Sequence, residues 1–320
     1  MYHMQIGKKN RSPAYPAGIV TSLEDLMRYE YLVQSRNLLP GHPVYSILAG
    51  RHASKLRGRG LDFEEVRPYV SGDDIRNIDW RVTARTGETH SKVFNEEKER
   101  PTFIVLDQSS RMFFGSQRFV KSVSAAHAAA IGAFYTLKRG DRVGGIIFNE
   151  EGHDHIAPKR SKALVQHYLQ CVVNRNIVLP QRRTIGPNTT LLNDMLRRTR
   201  SAVTHDFVVT VISDFSAINA ETRLHLRSLS YHNDVILLHI YDPLEQQLPD
   251  GKLVLTDGRY QIRWQNDRHR WGRDYAADFE KTQTALTEEF RRYRIPLVFF
   301  STAAPVEDQI MHAFGKTSPE

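Results

Sequence analysis

Three aspartates each close an apolar stretch of this chain, and their carboxylates are the first candidates for chemistry. Asp107 ends the run TFIVLD, Asp214 ends VVTVISD and Asp242 ends VILLHIYD. Short apolar runs of this kind are typical of strands buried in a parallel sheet. Ligands bind beyond the carboxyl ends of such strands, so each acid either faces a ligand or caps a neighbouring helix.

The elements that would position these acids alternate between strand and helix from Pro101 onward. Short apolar runs predict strands at 102–107, 142–148, 206–214, 234–242 and 296–302, and apolar spacings of three and four predict helices at 118–137, 161–173, 191–202 and 274–293. The predicted fold is therefore α/β, with a doubly wound, mostly parallel sheet of the Rossmann type. We place this domain at residues 101–315, with an insertion at about 243–273.

Hydroxyl side chains accompany two of the three acids. The segment LDQSSRM places Ser109 two residues after Asp107, and Thr189 follows the loop GPN. With Asp214, this set resembles the metal-ion-dependent adhesion site of von Willebrand factor A domains, which joins an Asp-x-Ser-x-Ser motif, a threonine and a second aspartate. The resemblance implies that Asp107, Ser109, Thr189 and Asp214 bind Mg²⁺, which prefers oxygen ligands. It also implies that the metal bridges to an acidic group of a partner and does not act as a catalyst.

Longer segments resemble one family in particular. The stretch GLDFEEVRPYVSGDDIRNIDWRVTAR at 60–85, DPLEQQLP at 242–249 and FFST at 299–302 are similar to sequences of DUF58 proteins. The resemblance covers roughly residues 50 to 304, which is most of the chain. It implies a bacterial protein that works with a MoxR-type AAA+ ATPase in a chaperone-like system.

One residue departs from the adhesion-site pattern, because Arg111 stands where a second serine is expected. A guanidinium has no lone pair to offer a cation. Three arrangements stay open: an intact Mg²⁺ site, a metal-free site in which Arg111 pairs with Asp107 or Asp214, and a shifted register in which Ser110 is the third ligand. The cofactor is accordingly none or Mg²⁺. Ser110, Arg111 and Asp242 are the further candidates for contact with a partner.

The 60–85 stretch alternates acids with arginines, a pattern that predicts a structural network of arginine–carboxylate pairs. The residues expected in it are Arg67, Asp73, Asp74, Arg76, Asp79 and Arg85. We expect Trp80 to be a core residue. We also expect the N-terminal segment, residues 1–100, to pack on the sheet domain through this network, with one helix at 22–36 and a strand at 90–97.

Positive charge is concentrated in one part of the chain. Residues 158–200 contain nine lysines and arginines and one acid, Asp194, so this stretch alone accounts for the net charge of +8. Such a patch suits an acidic protein surface, a phosphate or a nucleic acid, although solvated helix faces give the same pattern. His153 and His155 flank Asp154 just before it, and with no further ligand in sequence they indicate a solvated hairpin.

The remaining features narrow the function. The chain has one cysteine and no apolar stretch long enough to span a bilayer, so we expect a cytoplasmic protein without membrane insertion. There is no Walker A sequence and no Gly-x-Ser-x-Gly elbow. We therefore expect a non-enzymatic interaction module. The alternatives are a metal-dependent phosphohydrolase built on Asp107, Asp214 and Asp242, and nucleic-acid binding through residues 158–200.

Overall fold

A computed structural model describes residues 15–16, 18–35, 61–96, 99–182, 189–216, 218–248, 252–256, 261–265 and 269–314. The strands are β1 (Leu61–Pro68), β2 (His90–Glu96), β3 (Thr102–Asp107), β4 (Val143–Asn149), β5 (Gly152–Lys159), β6 (Val208–Ser213), β7 (Asp234–Tyr241), β8 (Lys252–Thr256), β9 (Gln261–Gln265) and β10 (Leu297–Ser301). The α-helices are α1 (Leu23–Ser35), α2 (Trp80–Thr86), α3 (Lys121–Lys138), α4 (Lys162–Asn176), α5 (Thr189–Ala202), α6 (Ala220–Ser230), α7 (Pro243–Gln246), α8 (His269–Arg291) and α9 (Val306–Phe314).

Six strands form the main sheet in the order β10-β7-β6-β3-β4-β5. All neighbours are parallel except β5, which returns antiparallel to β4 at the sheet edge. The strand order reverses beside β3, as in doubly wound sheets. The predicted α/β, mostly parallel sheet is therefore confirmed, and β3 has the predicted bounds.

The apolar runs form strands because both faces of the sheet are covered. Every residue of β3 and β4 is buried. One hydrophobic cluster packs α3 and α4 on one face, and α3 carries several buried alanines that let its backbone lie close to the sheet. A second cluster packs α5 and α6 on the other face. Two apolar layers explain why these strands lack polar alternation.

The N-terminal helix α1 belongs to the same compact unit as the sheet. Leu26, Tyr29 and Val33 are fully buried and join the cluster formed with α3 and α4. The Tyr29 hydroxyl donates a hydrogen bond of 3.1 Å to Glu307 in α9. This helix was predicted as part of the N-terminal segment, residues 1–100, whereas its apolar face completes the core of the sheet domain.

Residues Gly50–Arg100 form a second compact unit. Within its described part, β1 and β2 pair antiparallel. The Arg67 guanidinium lies 2.7 Å from Asp73, which is one of the expected arginine–carboxylate pairs. Asp74 instead accepts a hydrogen bond from the backbone N–H of Arg76 and caps a single 3₁₀ turn.

Asp79, Arg85 and Trp80 of this unit lie in or next to the short helix α2. Asp79 is the N-cap of α2, where its carboxylate accepts the backbone N–H groups of Arg81 and Val82. Arg85 lies in the last turn of that helix, where a cation is favourable to the helix dipole. The placement of Trp80 in the core is wrong, because this residue begins α2 and is 67% exposed. A short helix covers little apolar area, so its first residue faces solvent.

The insertion after β7 consists of α7 and the antiparallel hairpin of β8 and β9. The long helix that follows begins at His269, before the predicted start at residue 274. Within the described residues, no helix is both long and apolar enough to cross a membrane.

Candidate functional site

The carboxyl edge of the two central strands brings Asp107 and Asp214 together. Strands β3 and β6 are parallel neighbours, with Leu106 in register with Ile212. The residues that follow this pair therefore meet at one point of the sheet edge. Both aspartates are buried, with 6% and 7% of their surface exposed. Two buried carboxylates this close repel each other unless positive charge or hydrogen bonds compensate them.

Hydrogen bonds satisfy the Asp107 carboxylate. Its Oδ1 accepts the backbone N–H of Ser109 at 2.8 Å, and its Oδ2 accepts the Ser213 hydroxyl at 2.6 Å. Burial, and then the neighbouring charge of Asp214, raise the pKa of Asp107 to about 6. No cation touches this carboxylate within the described residues, so it lies closer to neutrality than an ordinary aspartate.

A lysine compensates the charge of Asp214. Lys121 is the first residue of α3 and is only 2% exposed. Its Nζ lies 3.0 Å from Oδ2 of Asp214 and 2.7 Å from Oε1 of Glu245. Burial alone would raise the pKa of Asp214, but the Lys121 ammonium and the Ser216 hydroxyl hold that pKa at about 2. This aspartate therefore stays ionised as half of a buried ion pair.

A strained residue orients the other oxygen of Asp214. Phe215 has a φ of 45°, in the left-handed region that side chains with a Cβ rarely adopt. This turn aims both the backbone N–H and the hydroxyl of Ser216 at Oδ1 of Asp214, at 3.1 and 2.7 Å. The strain, about 1–2 kcal/mol for a left-handed residue, is offset by two bonds to a charged group.

A capping box holds Glu245 in reach of Lys121. Asp242 is the N-cap of α7, and Glu245 returns to the Asp242 backbone N–H through Oε2 at 2.9 Å. This leaves Oε1 for the lysine. Because Pro243 begins α7, the DPLE sequence sets the position of a carboxylate that the sequence analysis had not assigned to the site.

Asp242 itself is a structural residue. It has no exposed surface, and its carboxylate accepts hydrogen bonds from Ser116 (backbone N–H and hydroxyl), the Thr302 hydroxyl and the Leu244 backbone N–H at 2.5–3.0 Å. These four bonds join three segments below the sheet edge. An acid at a strand end can face a ligand or cap a neighbouring helix, and Asp242 caps α7.

Arg111 lies at the rim of the site. Its Nε donates to the Ser216 hydroxyl at 2.9 Å and lies 3.8 Å from Oδ2 of Asp214, with 28% of the side chain exposed. Arg111 is thus within ion-pair distance of Asp214, as one of the three expected arrangements has it, and the Lys121 ammonium contacts the same carboxylate from the interior. The 3₁₀ turn at Ser110–Met112 holds Arg111 toward solvent, whereas Lys121 enters from the interior with α3.

The other predicted ligands are dispersed. The Ser110 hydroxyl and backbone N–H both donate to Glu150, at 2.7 and 2.8 Å. Ser110 is therefore directed at the turn after β4. Thr189 begins α5 and is half-buried, and residues 183–188 before it lie outside the described part. In the described part of the chain, no hydrogen bond joins Thr189 to Asp107 or Asp214.

This arrangement does not fit Mg²⁺. The ion requires near-octahedral oxygen ligands at about 2.0–2.1 Å. Both oxygens of Asp107 and of Asp214 already accept protein donors, and one of those donors is the charged Lys121 ammonium. Among the described residues, no group of three or more histidine, cysteine or acidic side chains is arranged for a metal ion. The cations that the structure shows at Asp214 are the side chains of Lys121 and Arg111.

The basic stretch at 158–200 is partly neutralised by internal ion pairs. Lys162 pairs with Glu30 at 2.6 Å, Arg175 with Asp154 at 2.6 Å, and Arg182 with Glu151. Arg197 lies 2.7 Å from Asp194. Four cations of the patch therefore face acids of this chain, which reduces the charge it offers to a polyanion.

The doubly wound sheet, with buried aspartates at the carboxyl edge of its central strands, defines an α/β protein with a mostly parallel six-stranded sheet. Residues 65–285 match the family described as "Protein of unknown function DUF58". The chain belongs to that family.

Known proteins similar to this chain are as follows. Uncharacterized proteins of Mycobacterium bovis and Mycobacterium tuberculosis are 30% identical over 213 residues, which is 66% of this chain and 65% of theirs. The solved BatB structure from Bacteroides thetaiotaomicron has 13% identity and a TM-score of 0.36, covering 61% of this chain and 98% of that one. A von Willebrand factor type A structure from Catenulispora acidiphila has 12% identity and a TM-score of 0.32, covering 71% and 44%.

Proposed function

We propose that this protein is a non-enzymatic binding module that presents the carboxyl edge of its sheet to a MoxR-type AAA+ ATPase. The proposal that the module is non-enzymatic rests on the buried Lys121 ammonium, which contacts both Asp214 and Glu245. This ammonium compensates Asp214 with a charge that belongs to the chain and cannot be exchanged. The ATPase is the partner that resemblance to DUF58 proteins implies, and it enters here as a hypothesis.

Support for a non-enzymatic role comes from the poor fit of the described residues to two classes of enzyme. A metal-dependent phosphohydrolase would need Asp107, Asp214 and Asp242 to converge on an ion with open coordination positions. Asp242 instead has four protein donors, and Asp214 is paired with a lysine. A serine nucleophile is activated by a base that a third group orients. Within the described residues Ser109 has the carboxylate of Asp107 beside it, and no histidine is hydrogen-bonded to its hydroxyl.

The rim of the site has the character of a protein-binding surface. Phe114 is 42% exposed, and its ring centroid lies 5.9 Å from Nζ of Lys121. Arg111, three residues earlier in the chain, is partly exposed. Aromatic and arginine side chains are the residue types that most often dominate binding energy at protein interfaces. An acidic group on the partner, next to an apolar contact, would match this pair.

The direct test is the affinity of the purified chain for a MoxR-type ATPase of the same organism, measured by biolayer interferometry. Arg111→Ala is expected to weaken the complex about tenfold or more, because truncating an interface arginine costs about 1–2 kcal/mol or more. The matched control is Arg227→Ala. Arg227 is also exposed, but it lies in α6 and stacks on Tyr231 and Tyr293.

Two results would count against the proposal. Absence of a complex at micromolar concentrations would remove the ATPase as partner. Equal losses in Arg111→Ala and Arg227→Ala would show that general positive charge, and not the rim of the sheet edge, drives association.

A further inference from the structure

An open cavity lies between strand β5 and helix α5, and more than half of the residues that line it are exposed. Its volume is about 440 Å³, which is within the range of small-molecule sites. Helix α5 packs over β3 and β4, and β5 is the outermost strand. The cavity is therefore the groove left where the helix stops short of the last strand.

The register of the hairpin directs two histidines into this groove. In the β4–β5 pairing, His155 lies opposite Ile146 and His153 lies opposite Phe148. Paired residues share one face of a sheet. Ile146 and Phe148 belong to the hydrophobic cluster under α5, so both histidines face the same helix. The structure thus contains the predicted hairpin, with His155 exposed and His153 half-buried, and both rings also line the open cavity.

The facing wall comes from the last turns of α5, and its polar groups are hydrogen-bond donors. Arg197, Arg198 and Ser201 line it, with Ala202 and Ile146 as the apolar part. Arg197 is paired with the exposed Asp194. Among the described residues, Arg198 has no carboxylate partner, and no acidic side chain lines the cavity.

The electrostatic effect of these arginines is visible at His153. Burial lowers the pKa of this histidine, and the charges of Arg198 and Arg175 lower it further. A neutral imidazole can donate one hydrogen bond without adding charge. The cavity therefore combines a positive potential with neutral donors and a small apolar surface.

We propose that this cavity binds the phosphomonoester group of a small organic molecule. A phosphomonoester carries about −1.5 to −2 charges at neutral pH and three acceptor oxygens. The lining offers the Arg198 guanidinium, two imidazoles and the Ser201 hydroxyl, whereas Arg197 is paired with Asp194. These donors can satisfy the three oxygens of a tetrahedral phosphate. Ile146 and Ala202 provide apolar contact for the carbon skeleton of the ligand. The site shares no residue with the sheet-edge site, so the two proposals can fail separately.

Isothermal titration calorimetry of the full chain with phenyl phosphate tests the proposal at constant ionic strength. Benzoate serves as the planar anion with the same ring. We expect saturable binding at one site for phenyl phosphate and at least tenfold weaker binding for benzoate. Arg198→Gln and His153→Gln are each expected to reduce the phenyl phosphate affinity about tenfold or more, as for loss of a hydrogen bond to a charged group. Arg227→Gln, the control, should bind like the wild type.

Three outcomes would overturn it. No saturable heat with millimolar phenyl phosphate would show that the cavity holds no such ligand. An unchanged affinity in folded Arg198→Gln and His153→Gln proteins, checked by circular dichroism, would place the binding elsewhere. A single-stranded oligonucleotide that binds tightly and is not displaced by phenyl phosphate would identify the groove as part of a polyanion surface.

Discussion

Replacing Lys121 by methionine is the sharpest perturbation of the sheet-edge site. Methionine preserves most of the side-chain volume and removes the ammonium, which is 2% exposed and contacts Asp214 and Glu245 at 3.0 and 2.7 Å. Removing one partner of a buried ion pair leaves an uncompensated charge and costs about 3–5 kcal/mol. Glu245 is one-third exposed and can regain water, so most of the cost comes from Asp214.

Urea denaturation at pH 7 measures this change. The expected loss in the free energy of unfolding is about 3–5 kcal/mol, with an unchanged dependence on urea concentration. The matched control is Lys162→Met, which removes a similar contact of 2.6 Å to Glu30 on the surface, where Lys162 is 56% exposed. That variant should lose about 1 kcal/mol or less.

Two further measurements separate charge from packing. Adding Asp214→Asn to Lys121→Met removes the orphaned charge and should recover much of the stability. Lowering the pH should also reduce the stability deficit of the Lys121→Met variant relative to the wild type. Without the ammonium, burial raises the pKa of Asp214 above its unfolded value. Protonation then stabilises the fold at low pH, and this stability is lost as the pH rises through that raised pKa. A loss below about 1 kcal/mol in Lys121→Met, or a deficit independent of pH, would refute the reasoning.

Two other predictions concern buried groups outside this ion pair. Asp242→Asn keeps the shape of a carboxylate with four donors but turns one oxygen into a donor, so urea denaturation should show a loss of about 2–4 kcal/mol. An unchanged stability would show that the capping role is dispensable. Burial, with the charge of Arg28, lowers the pKa of His127 to about 4. The unfolded chain is therefore protonated first, and stability present above about pH 6.5 is lost as the pH falls toward 4, by up to about 3 kcal/mol. The melting temperature, measured as the pH falls from about 6.5 toward 4, should decrease much less in His127→Phe than in the wild type. Replacing the exposed His205 should leave the decrease unchanged.

The sequence predicted an element of the fold correctly where one pattern, such as a continuous apolar run, was strong. Strand β3 was predicted with its observed bounds, because six consecutive buried residues leave no polar alternation to interpret. Helix α6 was not predicted. Its start depends on a capping box between Asn219 and Thr222, and its exposed Leu224 disturbs the amphipathic pattern. Local capping chemistry and partial burial are weaker signals than a continuous apolar run.

The candidate site was accessible only in part. The rule that acids at strand ends face the ligand edge located Asp107 and Asp214, and it also selected Asp242, which is structural. Lys121 was missed because a lysine at a helix end is usually solvated. One signal was available: the cation stands in the first turn of α3, where the helix dipole disfavours it, directly before a long stretch without charge. A lysine in that position needs carboxylates to stabilise it.

The identity of the cation determines what this sheet edge can recognise. A bound divalent ion offers an open coordination position, so a partner's carboxylate can become a direct ligand. The Lys121 ammonium is buried and already has two acceptors, and its charge is balanced by Asp214 and Glu245. The proposed partner is therefore expected to meet the rim and not the cation. Under that proposal, binding comes from Arg111 hydrogen bonds and from contact with Phe114, and we expect its strength to be independent of metal concentration. In this chain the ion pair serves to hold β6, α3 and α7 in the geometry that presents that rim.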